Sequence, residues 1–168
     1  MERINCIVFK VNNSLYAIDA GNVLGIEKSP QLKTLPQTPA FLFGVMDFRG
    51  KLIPLVSIRS YFGVPTPPLN PTNDVIVLQA DDGSGENREL AFLTDGVKVI
   101  TMLDFDSAND VPFVIRSFSD SVRRMTMYNG SPVVFLDLVQ ILSDDQKEAL
   151  RNFSCTAAKQ EETESNPE

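Results

Sequence analysis

The sequence predicts a mainly β protein with few helices. Short apolar runs rich in Val, Ile and Phe recur along the 168-residue chain, and turn residues bound them. Helical spacing of apolar residues is confined to short stretches, which leaves roughly nine or ten strands. The pair Asn129-Gly130, the strongest short signal for a β-hairpin, supports the same fold class.

The first predicted hairpin lies near the N-terminus. Ile4–Val11 is an apolar run of strand length, Asn12-Asn13-Ser14 is a turn signal, and Leu15–Ile18 predicts the returning strand. Asp19–Asn22 then predicts a loop or short turn, which leads into a further apolar stretch that begins at Val23.

The most distinctive stretch is a hairpin with a charged corner. Strands are predicted over Phe41–Met46 and Leu52–Ile58, and both are apolar enough to be buried on two sides. The polar corner between them, Asp47–Lys51, has Arg49 at its tip and places Gly50 where a turn needs positive φ.

A proline-rich loop precedes this hairpin and a short helix follows it. Three prolines in Ser29–Pro39 favour an extended path there. After the hairpin, Ile58, Tyr61 and Phe62 are expected on one face of a short helix that ends at Gly63 as its C-cap.

The second half of the chain continues the pattern of short strands. An acidic loop is predicted over Asp104–Asn109, a short helix begins at Asp137, and a final helix runs from Ser143 to about Phe153. The predicted strands are Asp74–Ala80, Glu89–Leu93, Val97–Leu103, Ser121–Tyr128 and Val133–Leu136.

Composition excludes several kinds of site. The chain has no histidine, which excludes Ser-His and Cys-His nucleophile pairs and removes the commonest transition-metal ligand. Cys6 is expected to be a small buried side chain and Cys155 a free thiol, and their spacing suits neither a disulfide framework nor a metal site. We therefore expect no catalytic residues, no cofactor and no metal.

Charge and hydropathy bear on location and partners. The net charge of −7 disfavours phosphate backbones, so nucleic acid is a poor partner. No apolar run approaches the roughly 18 to 20 residues that a membrane span requires, and the first residues do not resemble a signal peptide. We expect a cytoplasmic protein that does not insert into the membrane.

The charge clusters and the composition bear on two kinds of function. Paired carboxylates can serve acid–base catalysis in a hydrolase or bind calcium, and the chain has two such pairs, Asp81 with Asp82 and Asp104 with Asp106. Clustered charges in loops are, however, usually only solvated. A small barrel that binds single-stranded nucleic acid needs a basic, aromatic face, and this acidic chain has no Trp.

An ordered set of residues in and around the charged hairpin follows a known family pattern: Pro39, Phe41, Gly44, Val45, Phe48, Arg49, Gly50, Pro54, Leu55, Ile58, Arg59, Phe62 and Gly63. An earlier segment of the same pattern is matched by Tyr16, Ala17, Ile18, Val23 and Ile26. In these residues the chain resembles the CheW-like domain of bacterial chemotaxis coupling proteins. It departs from that pattern at three positions: Gly25 stands where Glu is common, Asp47 replaces Asn, and Ser57 replaces Asp.

The resemblance implies a fold and a function. The fold is two intertwined, small, five-stranded SH3-like β-barrels that share an apolar core, with few short helices and a C-terminal helix. The function is a non-enzymatic adaptor that couples chemoreceptors to a CheA-type histidine kinase, or a related scaffold of another pathway such as pilus-based movement. Recruitment to membrane receptor arrays is implied as well. The expected partner-facing residues are Val23, Gly25, Phe43, Gly44, Asp47, Arg49 and Gly50.

The chain divides into a domain and a tail. Residues 1–153 are expected to form the CheW-like domain. Residues 154–168 have no apolar periodicity and contain four Glu against one Lys, so this segment is expected to be a disordered acidic tail.

Overall fold

A computed structural model describes residues 2–28, 32–33, 41–65, 73–81, 87–105, 122–138, 142 and 145–150. Within these ranges, eleven strands form a five-stranded and a six-stranded sheet. The predicted mainly β class is therefore confirmed. The strands are β1 Glu2–Val11, β2 Ser14–Asp19, β3 Val23–Lys28, β4 Leu32–Lys33, β5 Leu42–Phe48, β6 Lys51–Ser57, β7 Asp74–Asp81, β8 Asn87–Thr94, β9 Gly96–Phe105, β10 Val122–Tyr128 and β11 Ser131–Leu136.

Helices are short in the described part of the chain. A 3-10 turn spans Ala20–Asn22, helix α1 spans Ile58–Tyr61, and residues 145–150 are helical. Leu150, in the last of these, is buried in the main apolar core, which agrees with the predicted C-terminal helix. Within the described ranges, no helix is both long and apolar enough to cross a membrane.

The two sheets are intertwined along the chain. The chain begins in the five-stranded sheet, whose order is β10-β11-β2-β1-β9, and crosses after β2 into the six-stranded sheet. That sheet has the order β3-β7-β8-β6-β5-β4, and the chain returns to the first sheet at β9. We call the two sheets with their connections the five-stranded unit and the six-stranded unit.

The units share one internal plan. In each, the strand that follows the crossing (β3 or β9) pairs antiparallel with the first strand of a hairpin, β7–β8 or β1–β2. A second hairpin, β5–β6 or β10–β11, joins the first one through a parallel pair. The registers correspond residue by residue: Ile76 lies between Ile26 and Phe92, as Ile7 lies between Ile100 and Ile18.

The turns of the equivalent hairpins are of the same kind. Arg49 and Gly50 have φ of 54° and 85°, and Asn129 and Gly130 have φ of 49° and 80°. Two successive positive φ values are the mark of a two-residue type I′ turn, whose twist matches that of the flanking strands. The predicted positive φ at Gly50 and the predicted hairpin at Asn129-Gly130 are both confirmed.

The buried apolar residues of the described ranges form three clusters. One lies inside the six-stranded unit around Leu55 and Val77, and another lies inside the five-stranded unit around Val8 and Val133. The largest lies between the units and confirms the predicted shared core. Its buried members are Ile7, Phe9, Val11, Ile18, Leu42, Val56, Ile58, Ile76, Leu78, Leu90, Phe92, Leu136, Leu138, Leu142 and Leu150.

Three local predictions are corrected. Asp104 does not begin a loop: it belongs to β9, where its carboxylate pairs with Arg3 at 2.8 Å and its carbonyl accepts from the Thr126 hydroxyl at 2.9 Å. The short β4 lies in a stretch predicted to be a loop, and it makes the second sheet six-stranded. Tyr61 is exposed, whereas Ile58 is buried and Phe62 packs against the main apolar core, so the predicted helical face is buried only in part.

Several predictions fall outside the described residues. These are the tail, Cys155, the acidic side chains at Asp82 and Asp106, and most of the loops predicted around prolines. Cys6 is described, and it is buried as predicted.

An ion pair stabilises the connection from β8 to β9, where the chain passes from one unit to the other. Arg59 in α1 donates from Nε and Nη2 to the two carboxylate oxygens of Asp95, at 2.9 and 2.8 Å. The backbone N–H of Asn12 donates to the same carboxylate at 2.7 Å. Burial by itself would raise the pKa of Asp95, but these hydrogen bonds and the charges of Arg59 and Lys10 together lower it below its usual value of 3.8.

This pair predicts a specific acid sensitivity. The pKa of Asp95 is higher in the unfolded chain than in the folded one. The stabilisation of the folded state is therefore fully present at pH values above the usual pKa of 3.8, and it is lost as the pH falls through the lower folded pKa. We expect Asp95→Asn to lower the free energy of unfolding at pH 7 by roughly 1–3 kcal/mol, between the values for exposed and buried pairs. The variant should also lose less stability than the wild type between pH 7 and pH 3.

Urea unfolding at both pH values measures the effect. Asp104→Asn is the matched control, since it removes a carboxylate from an exposed ion pair worth about 0–1 kcal/mol. An Asp95→Asn variant with the acid dependence of the wild type would contradict the assignment of this pair.

Candidate functional site

An apolar groove lies between the two units, beside the crossing from β2 to β3. Its volume is about 300 Å³. Strand β3 supplies the wall on the side of the six-stranded unit, and Ile7 and Ile100 supply the wall on the side of the five-stranded unit. The groove is lined by Ile7, Ala20, Val23, Leu24, Gly25, Ile26 and Ile100.

The exposed wall of the groove extends along β9. Ile100 is 56% exposed, and Met102, two residues further on the same face, is 54% exposed. In β3, the residues from Val23 to Glu27 are half-buried. A contiguous apolar surface that stays open to solvent is typical of an interaction site rather than of a core.

The groove wall in β3 is irregular at Leu24. The pairing with β7 shifts between Val23 and Gly25, which leaves Leu24 as the extra residue of a β-bulge. A Cβ on Gly25 would lie only 3.3 Å from Cε1 of Phe48. The absence of a side chain at Gly25 therefore allows Phe48 to pack closely against β3.

The charged corner adjoins the same strand. Asp47 accepts a hydrogen bond from the backbone N–H of Gly50 at 2.9 Å, which closes the turn. The guanidinium of Arg49 lies over the ring of Phe48, with Cζ 4.7 Å from the centroid, and Nη2 donates to the Leu24 carbonyl at 3.3 Å. Arg49 is exposed, but these contacts hold it against the back of the groove wall.

The predicted partner-facing residues divide into three groups. Val23 and Gly25 line the groove. Asp47, Arg49 and Gly50 form the exposed corner next to it. The remaining two lie within β5 and not on the exposed corner or the groove.

Phe43 and Gly44 have an interior position. Phe43 is half-buried and packs against the apolar cluster of the six-stranded unit, and Gly44 is buried. Both therefore lie apart from the groove and the exposed corner, and their part in partner binding stays a prediction.

The sequence does not predict the other half of the groove. Ile7 and Ile100 are predicted only as strand residues, Leu24 only as part of an apolar stretch, and Ile26 as a family match without a partner-facing role. One signal was present in the sequence: the alternation in β9 places Lys98, Ile100 and Met102 on the solvent side, where two of the three are apolar. The pairing that brings Ile100 next to β3 is set by long-range contacts, which the sequence pattern does not show.

The geometry offers little for the other chemistries considered. Burial raises the pKa of the Cys6 thiol to about 12, with a further contribution from Asp19, so this thiol is not a nucleophile at neutral pH. Asp104 is paired with Arg3. Within the described ranges, no group of three or more Cys, Asp or Glu side chains is placed to hold a metal ion. The groove lining is aliphatic, whereas single-stranded nucleic acid requires aromatic stacking.

Comparisons with known proteins agree with this architecture. The chain is 20% identical over 157 residues to the chemotaxis protein CheW of Treponema pallidum, which covers 90% of this chain and 89% of that protein. It is 25% identical over 144 residues to the chemotaxis protein CheW of Helicobacter pylori, with coverage of 86% and 84%.

A solved structure has the same fold. It is the crystal structure of the scaffolding protein TtCheW from Thermoanaerobacter tengcongensis, with a TM-score of 0.67 and 19% identity over 81% of this chain and 90% of that chain. The family model described as the CheW-like domain matches residues 5–146. The chain belongs to the CheW-like domain family.

Proposed function

We propose that the chain is a non-enzymatic chemotaxis adaptor that couples the cytoplasmic tips of chemoreceptors to a CheA-type histidine kinase. In this role it acts in the cytoplasm at membrane receptor arrays. The observation that carries the proposal is the exposed apolar groove between the units, with the Arg49 corner at its edge.

The groove suits an amphipathic helix. A receptor tip is a helical hairpin, and one face of such a helix presents apolar side chains at i, i+3, i+4 and i+7. Ile100 and Met102 are more than half exposed, and Val23 and Ile26 are half-buried, so a helix would remove apolar surface from water on both walls. Full burial of one Ile or Met side chain contributes about 1.5–3 kcal/mol.

The corner supplies the polar part of the surface. Arg49 offers a planar guanidinium that can pair with a carboxylate of the partner in a bidentate manner. Its contacts with Phe48 and with the Leu24 carbonyl restrict its rotamers before binding, so less conformational entropy is lost when the complex forms.

A charge in the groove should abolish receptor binding. Ile100→Asp places an unpaired carboxylate where we expect the helix to lie, and desolvation of that carboxylate opposes binding. We expect the Kd for a soluble helical hairpin with a chemoreceptor tip, measured by calorimetry, to rise by roughly 100-fold or more, equivalent to about 2.7 kcal/mol. The melting temperature should change little, because Ile100 is exposed.

Met127→Asp is the matched control for Ile100→Asp. Met127 is 58% exposed on β10 and does not line the groove. Its substitution should leave receptor binding unchanged. Equal loss of binding in both variants, or no loss in either, would show that the groove is not the receptor site.

Reversal of the charge at Arg49 should abolish complex formation. Arg49→Glu unpairs a partner carboxylate and places like charges together, which costs roughly 2–5 kcal/mol of binding if the pair is desolvated. The loss of the contact with Phe48 should lower the free energy of unfolding by only about 0.5–1 kcal/mol. Pull-down with receptor tip and kinase, together with a melting curve, measures both effects.

Arg3→Glu is the control for Arg49→Glu, since Arg3 is an exposed arginine of the other unit. It should bind both partners normally. An unfolded Arg49→Glu variant would make Arg49 a structural residue, and a folded variant with normal binding would remove the corner from the site.

A further inference from the structure

The two crossings between the units are built differently. At the crossing from β8 to β9, Asp95 accepts two hydrogen bonds from Arg59, and their side chains are only 16% and 21% exposed. At the crossing from β2 to β3, Asp19 accepts from the backbone N–H of Gly21 at 2.8 Å, a contact within the crossing itself. The groove lies beside this second crossing, since Ala20 and Val23 line it.

The Arg59–Asp95 pair ties the units to each other. Arg59 belongs to α1, which continues from β6 of the six-stranded unit, and its Nη1 also donates to the Pro65 carbonyl at 3.1 Å. The Asp95 carboxylate accepts a hydrogen bond from the backbone N–H of Asn12, which lies in the β1–β2 turn of the five-stranded unit. The backbone N–H of Asp95 donates to the Lys10 carbonyl at 2.9 Å. One carboxylate therefore contacts both units.

Strand β9 connects this pair to the groove. Asp95 immediately precedes β9, and Ile100 follows five residues later, about 17 Å along an extended strand. Since β9 pairs with β1 along its length, it moves as part of the five-stranded unit. A small rotation of this unit about Asp95 therefore displaces Ile100 relative to Val23 and Ile26 on the opposite wall.

The shared apolar core and the ion pair differ in how strictly they depend on geometry. Apolar burial is non-directional and depends mainly on the area removed from water. A bidentate pair between a guanidinium and a carboxylate has strict geometry, because two parallel N–H donors must meet two oxygens. The ion pair is thus a directional contact at the crossing, beside the hydrogen bond that the Val97 N–H in β9 donates to the Asp74 carboxylate in β7 at 2.7 Å.

We propose that Arg59 and Asp95 are positioning residues that set the distance between the two walls of the groove and so its affinity for a helix. This inference rests on the proposed function, because the helix is that of a receptor tip. The two residues do not line the groove and act on it only through β9.

Distance measurement between the walls tests the inference without a partner. Spin labels at Lys28→Cys on β3 and Met102→Cys on β9 report the separation in the full chain with Cys155→Ser. Cys6 stays unlabelled, because it is fully buried and its thiol has a pKa of about 12. Arg59→Gln should broaden or shift the distance distribution well below its melting temperature, and Arg3→Gln, which breaks the exposed pair with Asp104, should not.

Binding measurement tests the consequence. Arg59→Gln and Asp95→Asn should each weaken binding of a soluble receptor-tip hairpin by roughly 5-fold or more. The double variant should bind no more weakly than the worse single variant, because both remove the same contact. Arg59→Lys, which keeps the charge but loses the bidentate geometry, should bind between the wild type and Arg59→Gln.

The outcomes separate this inference from the proposed function. Failure of the wild-type chain to bind the hairpin contradicts the proposed function, while the distance measurement still decides whether the pair sets the groove. An unchanged distance distribution in a folded Arg59→Gln chain overturns the inference. If neither Arg59→Gln nor Arg59→Lys folds, the pair is only a stabilising contact and the inference is overturned as well.

Discussion

Each unit contains an edge strand that follows directly in sequence from a strand of the other unit. Strand β3 follows β2 after a short turn, and β9 follows β8 after Asp95, yet each lies at an edge of the opposite sheet. Neither unit can leave the other without losing that strand. This constraint forces a shared apolar core at the centre of the molecule, and Phe9 and Phe92, both fully buried, are contributed to it by different units. It also creates the groove, because β3 and β9 meet there as the two edges.

The same plan in both units does not give them the same surface. Gly25 and Phe48 occupy the positions that Val99 and Tyr128 occupy in the five-stranded unit, as the registers show. The glycine lets the Phe48 ring approach β3, and Arg49 then covers that ring and bonds to Leu24. The glycine at position 25 thus has a packing reason, because a Cβ there would require the Phe48 ring to shift by a few tenths of an ångström.

Much of the fold could be predicted from the sequence because its signals are local. Turn residues such as Asn129-Gly130 and Gly50 indicate where one strand ends and the next begins. The topology that connects the strands follows from the family resemblance of the charged hairpin. The extension of β9 through Asp104 was missed, because an acidic residue at an exposed strand position resembles the start of a loop. The site was predicted only in part: Val23, Gly25 and Arg49 lie at or beside the groove, whereas Ile100 reaches it through a pairing with β1 across more than 90 residues of sequence.

In the proposed function, a helix of a receptor tip occupies the groove between the units. Hydrogen exchange of the full chain, with and without a soluble receptor-tip hairpin, tests this placement. We expect the hairpin to slow exchange of backbone amides in β3, from Val23 to Lys28, and in β9, from Lys98 to Met102, and to leave the β10–β11 hairpin unchanged. Protection confined to the β10–β11 hairpin, or binding that leaves β3 and β9 unprotected, would show that the helix does not occupy the groove.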